Sequence, residues 1–198
     1  MTALPVFNAE PPERADAARN RRLVLDAAAK LFASDPRCVT MEAVAAEAGV
    51  GKGTVFRRFG DRAGLARAVI SEYEIDLQEG LIRGAPPLGP GAPARERLIA
   101  FGTAYLTFLD RHAPLMVAAE GGTTSWMTSS VYALYRTHLS ILLREADCGE
   151  QSPYLADVLM SPLAASAFLY HREVRGLSLT ELIAAYEDLI TRLLDSTR

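Results

Sequence analysis

One stretch near the N-terminus, TMEAVAAEAGVGKGTVFRRFGDR (Thr40–Arg62), constrains the fold more than any other part of the chain. Met41, Val44, Ala45 and Ala48 fall at the spacing of one helical face, and Val55 and Phe59 make a second, shorter one. Gly49 lies between them, where a turn with positive φ costs glycine nothing. Val50 reads as the apolar anchor of that turn. Thr40 is placed to cap the first helix through its hydroxyl, and Gly60 to end the second. Lys52, Thr54, Arg57 and Arg58 are left as the outward set of the second helix. A short helix, a glycine turn and a second short helix rich in outward donors is the layout of a helix-turn-helix.

The rest of the chain reads as helix as well. Residues 1–13 carry Pro5, Pro11 and Pro12 without helical period and read as a flexible arm. Val24, Ala27, Ala28, Leu31 and Phe32 define a first helix from Arg14 to Ser34, stopped at Asp35-Pro36. Asp61 caps a linking helix, 61–82, with its stripe at Leu65, Val69, Tyr73 and Leu77. GAPPLGPGAP at 84–93 predicts a loop and a joint. Helical pattern returns from Ala94 to Asp110, then in a short piece from Leu115 to Ala119 started by Pro114. A loop at Gly121–Ser125 precedes a helix from Met127 to Ala146. Two more apolar helices follow, about 153–174 and 178–195, the last capped by Ser178. No strand and no repeat is evident. The fold class expected is all-α: a three-helix head at 14–62 and a larger helical domain at 83–198.

Charge supports a division of labour. The whole chain is net −3, yet residues 14–62 hold ten Lys/Arg against six acids, net +4, and the remainder is net −7. A small basic face suits phosphates, and an acidic body suits solubility. No apolar run reaches the ~20 residues of a membrane span. The first 20 residues lack the basic start and apolar core of a signal peptide, so the expected location is the cytoplasm. Cys38 and Cys148 form no metal spacing and read as reduced thiols. His112, beside Arg111, reads as a cation at a helix end. His138 and His171 have no ligand partners at helical spacing, so no metal and no cofactor is expected. GVGKGT imitates a phosphate-binding loop, but Ala46 stands where the first Gly belongs, Gly53 where Ser/Thr belongs, and a helix precedes it.

Over residues 20–70 the chain resembles the DNA-binding domain of the TetR (tetracycline-repressor-type) family. The resemblance rests on Leu31-Phe32, Thr40, Ala48-Gly49-Val50, Gly53-Thr54, the aromatic-x-x-Phe of Phe56 to Phe59, and Arg62 followed by Leu65. Three positions depart from the pattern. Phe56 stands where Tyr is usual, Arg62 where Lys is usual, and Gly51 where Ser commonly opens the second helix.

The resemblance implies a ligand-responsive transcriptional regulator, usually a repressor and not an enzyme. Such a protein binds a palindromic operator as a homodimer and is released by a small apolar or amphipathic effector. DNA contacts would come from Thr40, Lys52, Gly53, Thr54, Phe56, Arg57, Arg58 and Arg62, and dimer contacts from 153–174 and 178–195. The aromatic and methionine set Phe101, Tyr105, Phe108, Met116, Trp126, Tyr132, Tyr135 and His138 is the candidate effector pocket. The alternative is an all-helical small-molecule-binding protein or enzyme without DNA function.

Overall fold

The computed structural model describes residues 15–36, 38–119 and 127–196. The expected N-terminal arm, the loop at Gly121–Ser125 and Trp126 lie outside the described residues, which contain no strand. Helices α1 (Ala15–Ser34), α2 (Met41–Glu47), α3 (Lys52–Phe59) and α4 (Arg62–Arg83) come first. They are followed by α5 (Ala94–Ala119), α6 (Ser130–Glu145), α7 (Ser152–Met160), α8 (Ala165–Leu169) and α9 (Leu179–Asp195). Two compact units divide between Val69 and Ile70, so α4 contributes to both. Residues 84–93 lie wholly within the second unit. Among the described residues no helix is long and apolar enough to cross a membrane.

In the first unit the apolar stripes are buried as their spacing dictates. Val24, Ala28 and Phe32 of α1, Met41, Val44 and Ala45 of α2, Val55 of α3 and Leu65 and Val69 of α4 form one core. Asp61 begins α4 as expected, its Oδ1 accepting from the Gly64 N–H at 2.7 Å.

The second unit packs α5 against α8 and α9, and α6 against α7. Three expectations are corrected there. The helix expected to stop at Asp110 and the piece after Pro114 are one helix, α5. Pro114 is exposed on that helix, which runs through it. The stripe through Leu109, Ala113 and Met116 continues unbroken into the core. The helix expected over 153–174 is broken instead. Ser161–Leu163 form a 3-10 turn around Pro162, Ala164 is extended (ψ 136°), α8 then restarts the helix, and Tyr170–Val174 form a π turn. His112, expected at a helix end, lies inside α5 between Tyr73 and Phe108, with ring centroids 4.4 and 4.8 Å away. Burial and nearby Arg111 hold its pKa below the usual imidazole range, so it is not the helix-end cation expected.

The last helix begins as expected. Ser178 and Glu181 form a reciprocal capping box, and Tyr186, Ile190 and Leu194 turn one face of α9 inward. Where α9 meets α5, the Tyr186 ring lies over Gly102 so closely that a Cβ at Gly102 would sit 2.1 Å from it.

Candidate nucleic-acid interface

The turn between α2 and α3 is built by backbone geometry. Gly49 has φ +66°, and its N–H and that of Val50 return to the carbonyls of Ala46 and Ala45 at 3.2 and 3.0 Å. Thr40 caps α2: its Oγ1 accepts from the Ala43 N–H at 3.1 Å. The hydroxyl hydrogen of this exposed residue remains able to donate to an anion. Gly51 precedes α3 without a side-chain cap, which leaves the first N–H groups of α3 to an outside acceptor.

Helical phase sorts the side chains of α3. Val55 is fully buried, and Arg58 and Phe59, three and four residues on, are half-buried beside it. Lys52, Gly53, Phe56 and Arg57 are exposed, Gly53 and Arg57 on the side away from Val55, and Thr54 is half-buried. Lys52 forms an ion pair with Glu42 of α2 and lies 5.4 Å from the centre of the Phe56 ring. The Lys52 hydrogen bond is the main cause holding the Glu42 carboxyl below its usual range. Glu42 therefore shares the exposed face with the expected contacts. Sequence reasoning passed over it, although its position ten residues before Lys52, across a tight turn, was a usable signal.

Two of the expected contacts face the protein. Arg58 donates to the Ala17 carbonyl of α1 at 3.2 Å. Arg62 donates to the Pro36 carbonyl and lies 5.6 Å from the centre of the Phe32 ring. Both cations tie the head together. The structure thus gathers Thr40, Lys52, Gly53, Thr54, Phe56 and Arg57 around the exposed side of α3, while Arg58 and Arg62 turn to α1 and to the α1–α2 turn.

Residues 24–69 match the family model for bacterial regulatory proteins of the tetR family. The DNA-binding head of this chain is that of the TetR family. Among solved structures, a TetR-like transcriptional regulator from Rhodococcus sp. RHA1 is 21% identical, with TM-score 0.60 over 93% of this chain and 99% of that one. NalD, the secondary repressor of the MexAB-OprM multidrug efflux pump in Pseudomonas aeruginosa, is 16% identical, with TM-score 0.56 over 89% and 96%. At these identities the likeness establishes the fold. Among curated proteins none matches the sequence. TetR-type proteins are DNA-binding transcriptional regulators, and residues 24–69 of this chain match their DNA-binding domain.

Gly53 separates stability from function in this TetR-type head. A Cβ at Gly53 meets nothing within 4 Å, so internal packing does not require glycine there. Gly53→Ala is expected to raise head stability by about 0.5–1 kcal/mol, through helix propensity. If α3 seats closely against DNA, the same methyl lowers operator affinity. Thermal melts and gel shifts on one preparation check both outcomes.

The second unit brings most of the expected pocket residues together. Phe101 lies 5.7, 5.6 and 6.0 Å, ring centre to ring centre, from Tyr105, Tyr135 and His138. Tyr105 lies 5.3 Å from Tyr135 and 6.0 Å from Phe108. Met116 is buried on α5. Tyr132 has a different role: its hydroxyl donates to Asp157 of α7 at 2.6 Å, and Arg136 pairs with the same oxygen at 2.7 Å. That linkage fastens α6 to α7.

Glu74 is the residue the sequence reading missed in this region. It is 4% exposed on α4, in helical line with the buried Ile70, Leu77 and Leu81. Burial pushes its pKa up to about 8, and burial together with Arg97 brings that of His138 down to about 4. Glu74 keeps its proton in the folded state and loses it in the unfolded state above the usual carboxylate range, so its stabilising proton is lost as pH rises to about 8. His138 opposes it only up to the usual imidazole range, near 6.5. Between about pH 6.5 and 8 the Glu74 effect is unopposed by His138, and stability is expected to fall by up to about 1.4 kcal/mol per unit. Urea unfolding across that range checks this, and Glu74→Gln should flatten the slope.

Proposed function

We propose that the protein is a homodimeric, effector-responsive repressor. It holds a palindromic operator through α3 of each protomer and releases it when a small apolar or amphipathic molecule enters the aromatic interior of the second unit. The exposed side of α3 carries this reading: Lys52, Phe56 and Arg57 stand around Gly53, at a helix start whose N–H groups have no side-chain cap. Such a face offers donors to base edges and a backbone approach to phosphate. Thr40 supplies a phosphate contact beside it. Repression as the sign of regulation follows NalD, which is a repressor.

Dimerisation is supported by the apolar side chains that α7 to α9 leave exposed. Tyr154 and Val174 are 71% exposed, Tyr170 is 50% and Leu189 is 37%. Buried against a second copy, such residues make an interface core. The continuous α4 carries buried residues of both units, Leu65 and Val69 in one and Glu74 and Leu77 in the other. A shift of its C-terminal half on effector binding is the proposed route to the head.

Footprinting on the intergenic DNA beside the gene tests the reading. Two symmetric protected half-sites about 34 Å apart are expected, with affinity falling steeply as salt rises. Absence of protection at low salt would sink it.

A further inference from the structure

Glu42 is an acid set among donors. Thr40, two residues before it, has a hydroxyl able to donate, α3 starts without a side-chain cap, and Arg57 is exposed. A polyanion approaching this face meets one negative charge among them, which subtracts from sequence-independent affinity. What Glu42 gives the fold in return is small: a first-turn charge on α2 and an exposed ion pair. Its partner matters more. Glu42 holds the ammonium of Lys52 across the turn from α2 to α3, and the centre of the Phe56 ring lies 5.4 Å from the same nitrogen. Carboxylate and ring orient a lysine that would otherwise be a point charge on a flexible stem. Both side chains are more than half exposed, so the couple is presented to whatever docks on α3. The Lys52 hydrogen bond holds the Glu42 carboxyl below its usual range, so it is charged at neutral pH. An anionic acceptor and a cationic donor thus stand side by side. On the major-groove edge of a G·C pair, guanine O6 and N7 accept and the neighbouring cytosine N4 amino group donates. A lysine suits the first and a carboxylate the second. An A·T pair sets its one donor, adenine N6, between adenine N7 and thymine O4, and lacks the adjacent pair of acceptors that a lysine takes on guanine.

We propose that Glu42 and Lys52 together read one G·C base pair in each half-site of the operator, Glu42 accepting from cytosine N4 and Lys52 donating to guanine O6 or N7. Glu42 is then a specificity-determining residue. At other sequences its carboxylate faces base acceptors or phosphates as a like charge, which weakens binding to the wrong DNA. The proposal rests on the reading of α3 as the operator-reading helix, and it adds the base pair that the α2–α3 turn selects.

Selection from a pool of duplexes with a randomised core of about two helical turns tests it, run in parallel with full-length parent, Glu42→Gln and Lys52→Ala. The parent is expected to enrich a palindrome with G·C fixed at one position of each half-site. Glu42→Gln and Lys52→Ala should each lose the preference at that position and keep the others. In titrations of the parent, replacing that pair by A·T in one half-site should cost about tenfold, and in Glu42→Gln no more than about twofold. Glu42→Gln should also bind an unrelated duplex more tightly than the parent does, with a salt dependence steeper by about one ion per protomer, because Lys52 is freed for phosphate. The same motif from parent and Glu42→Gln, A·T at the position the variants alter, a loss of preference spread over the whole half-site, or weaker binding of the unrelated duplex by Glu42→Gln overturns the proposal and leaves α3 as the reader. No enrichment of any sequence by the parent overturns the DNA-binding reading itself, and the proposal with it.

Discussion

Arg57→Ala is expected to weaken operator binding at least about thirty-fold while leaving the fold intact. One good contact from a recognition helix is worth about 1–3 kcal/mol, and a symmetric dimer loses it twice. Arg57 is exposed on α3 on the side away from buried Val55, so truncation should change stability by no more than about 0.5 kcal/mol. The salt dependence then assigns the contact. A phosphate contact lowers the salt slope and weakens all sequences alike, whereas a base contact relaxes specificity at one position of each half-site. Arg58→Ala is the control. Its guanidinium is joined to the Ala17 carbonyl, so its loss should appear first as a lower melting temperature of the head. Equal operator affinity for Arg57→Ala and the parent would remove α3 from the interface.

Gly102→Ala is expected to destabilise the second unit by about 2 kcal/mol or more, a fall of roughly 5–10 °C in melting temperature. The added methyl would sit 2.1 Å from two carbons of the Tyr186 ring, well inside contact distance. Gly102 and Tyr186 are both buried where α5 packs on α9, so the clash is relieved only by shifting a buried ring or the helix that carries it. Relief should come from the other side of the contact: Tyr186→Ala in the Gly102→Ala background should recover part of the loss, a coupling that a double-mutant cycle measures. Tyr186→Phe should be neutral or mildly stabilising, because the Tyr186 hydroxyl is buried without a hydrogen-bond partner. A melting temperature unchanged by Gly102→Ala would mean that the two helices are not held in this register.

The head was legible in the sequence because its signals are local. Gly49 between two short stripes, Thr40 before Met41 and Asp61 before Arg62 each act within four residues of chain. Each was found doing what its chemistry predicts. Arg58 was assigned outward because it is a cation in a basic helix. Its carbonyl partner on α1 turned it inward, whereas Lys52, at the same spacing before Val55, stays exposed. Glu74 likewise stood in the row Ile70, Leu77, Leu81, but the expected stripe ran through Tyr73 and left Glu74 out. Helix ends in the second unit were less legible. Pro114 and Pro162 look alike in sequence, yet α5 passes through the first and the chain breaks at the second.

The helix-turn-helix between Thr40 and Phe59 was determined by the sequence alone, because turn geometry and helical phase depend on near neighbours. Tertiary structure decided which cations of that unit remain exposed. Arg58 and Arg62 found backbone carbonyls on other segments, and Lys52 met Glu42 across the turn. It also decided that an acid on α4, Glu74, would lie buried. No local rule predicts that, since burial is a property of what packs around a residue and not of the residue itself.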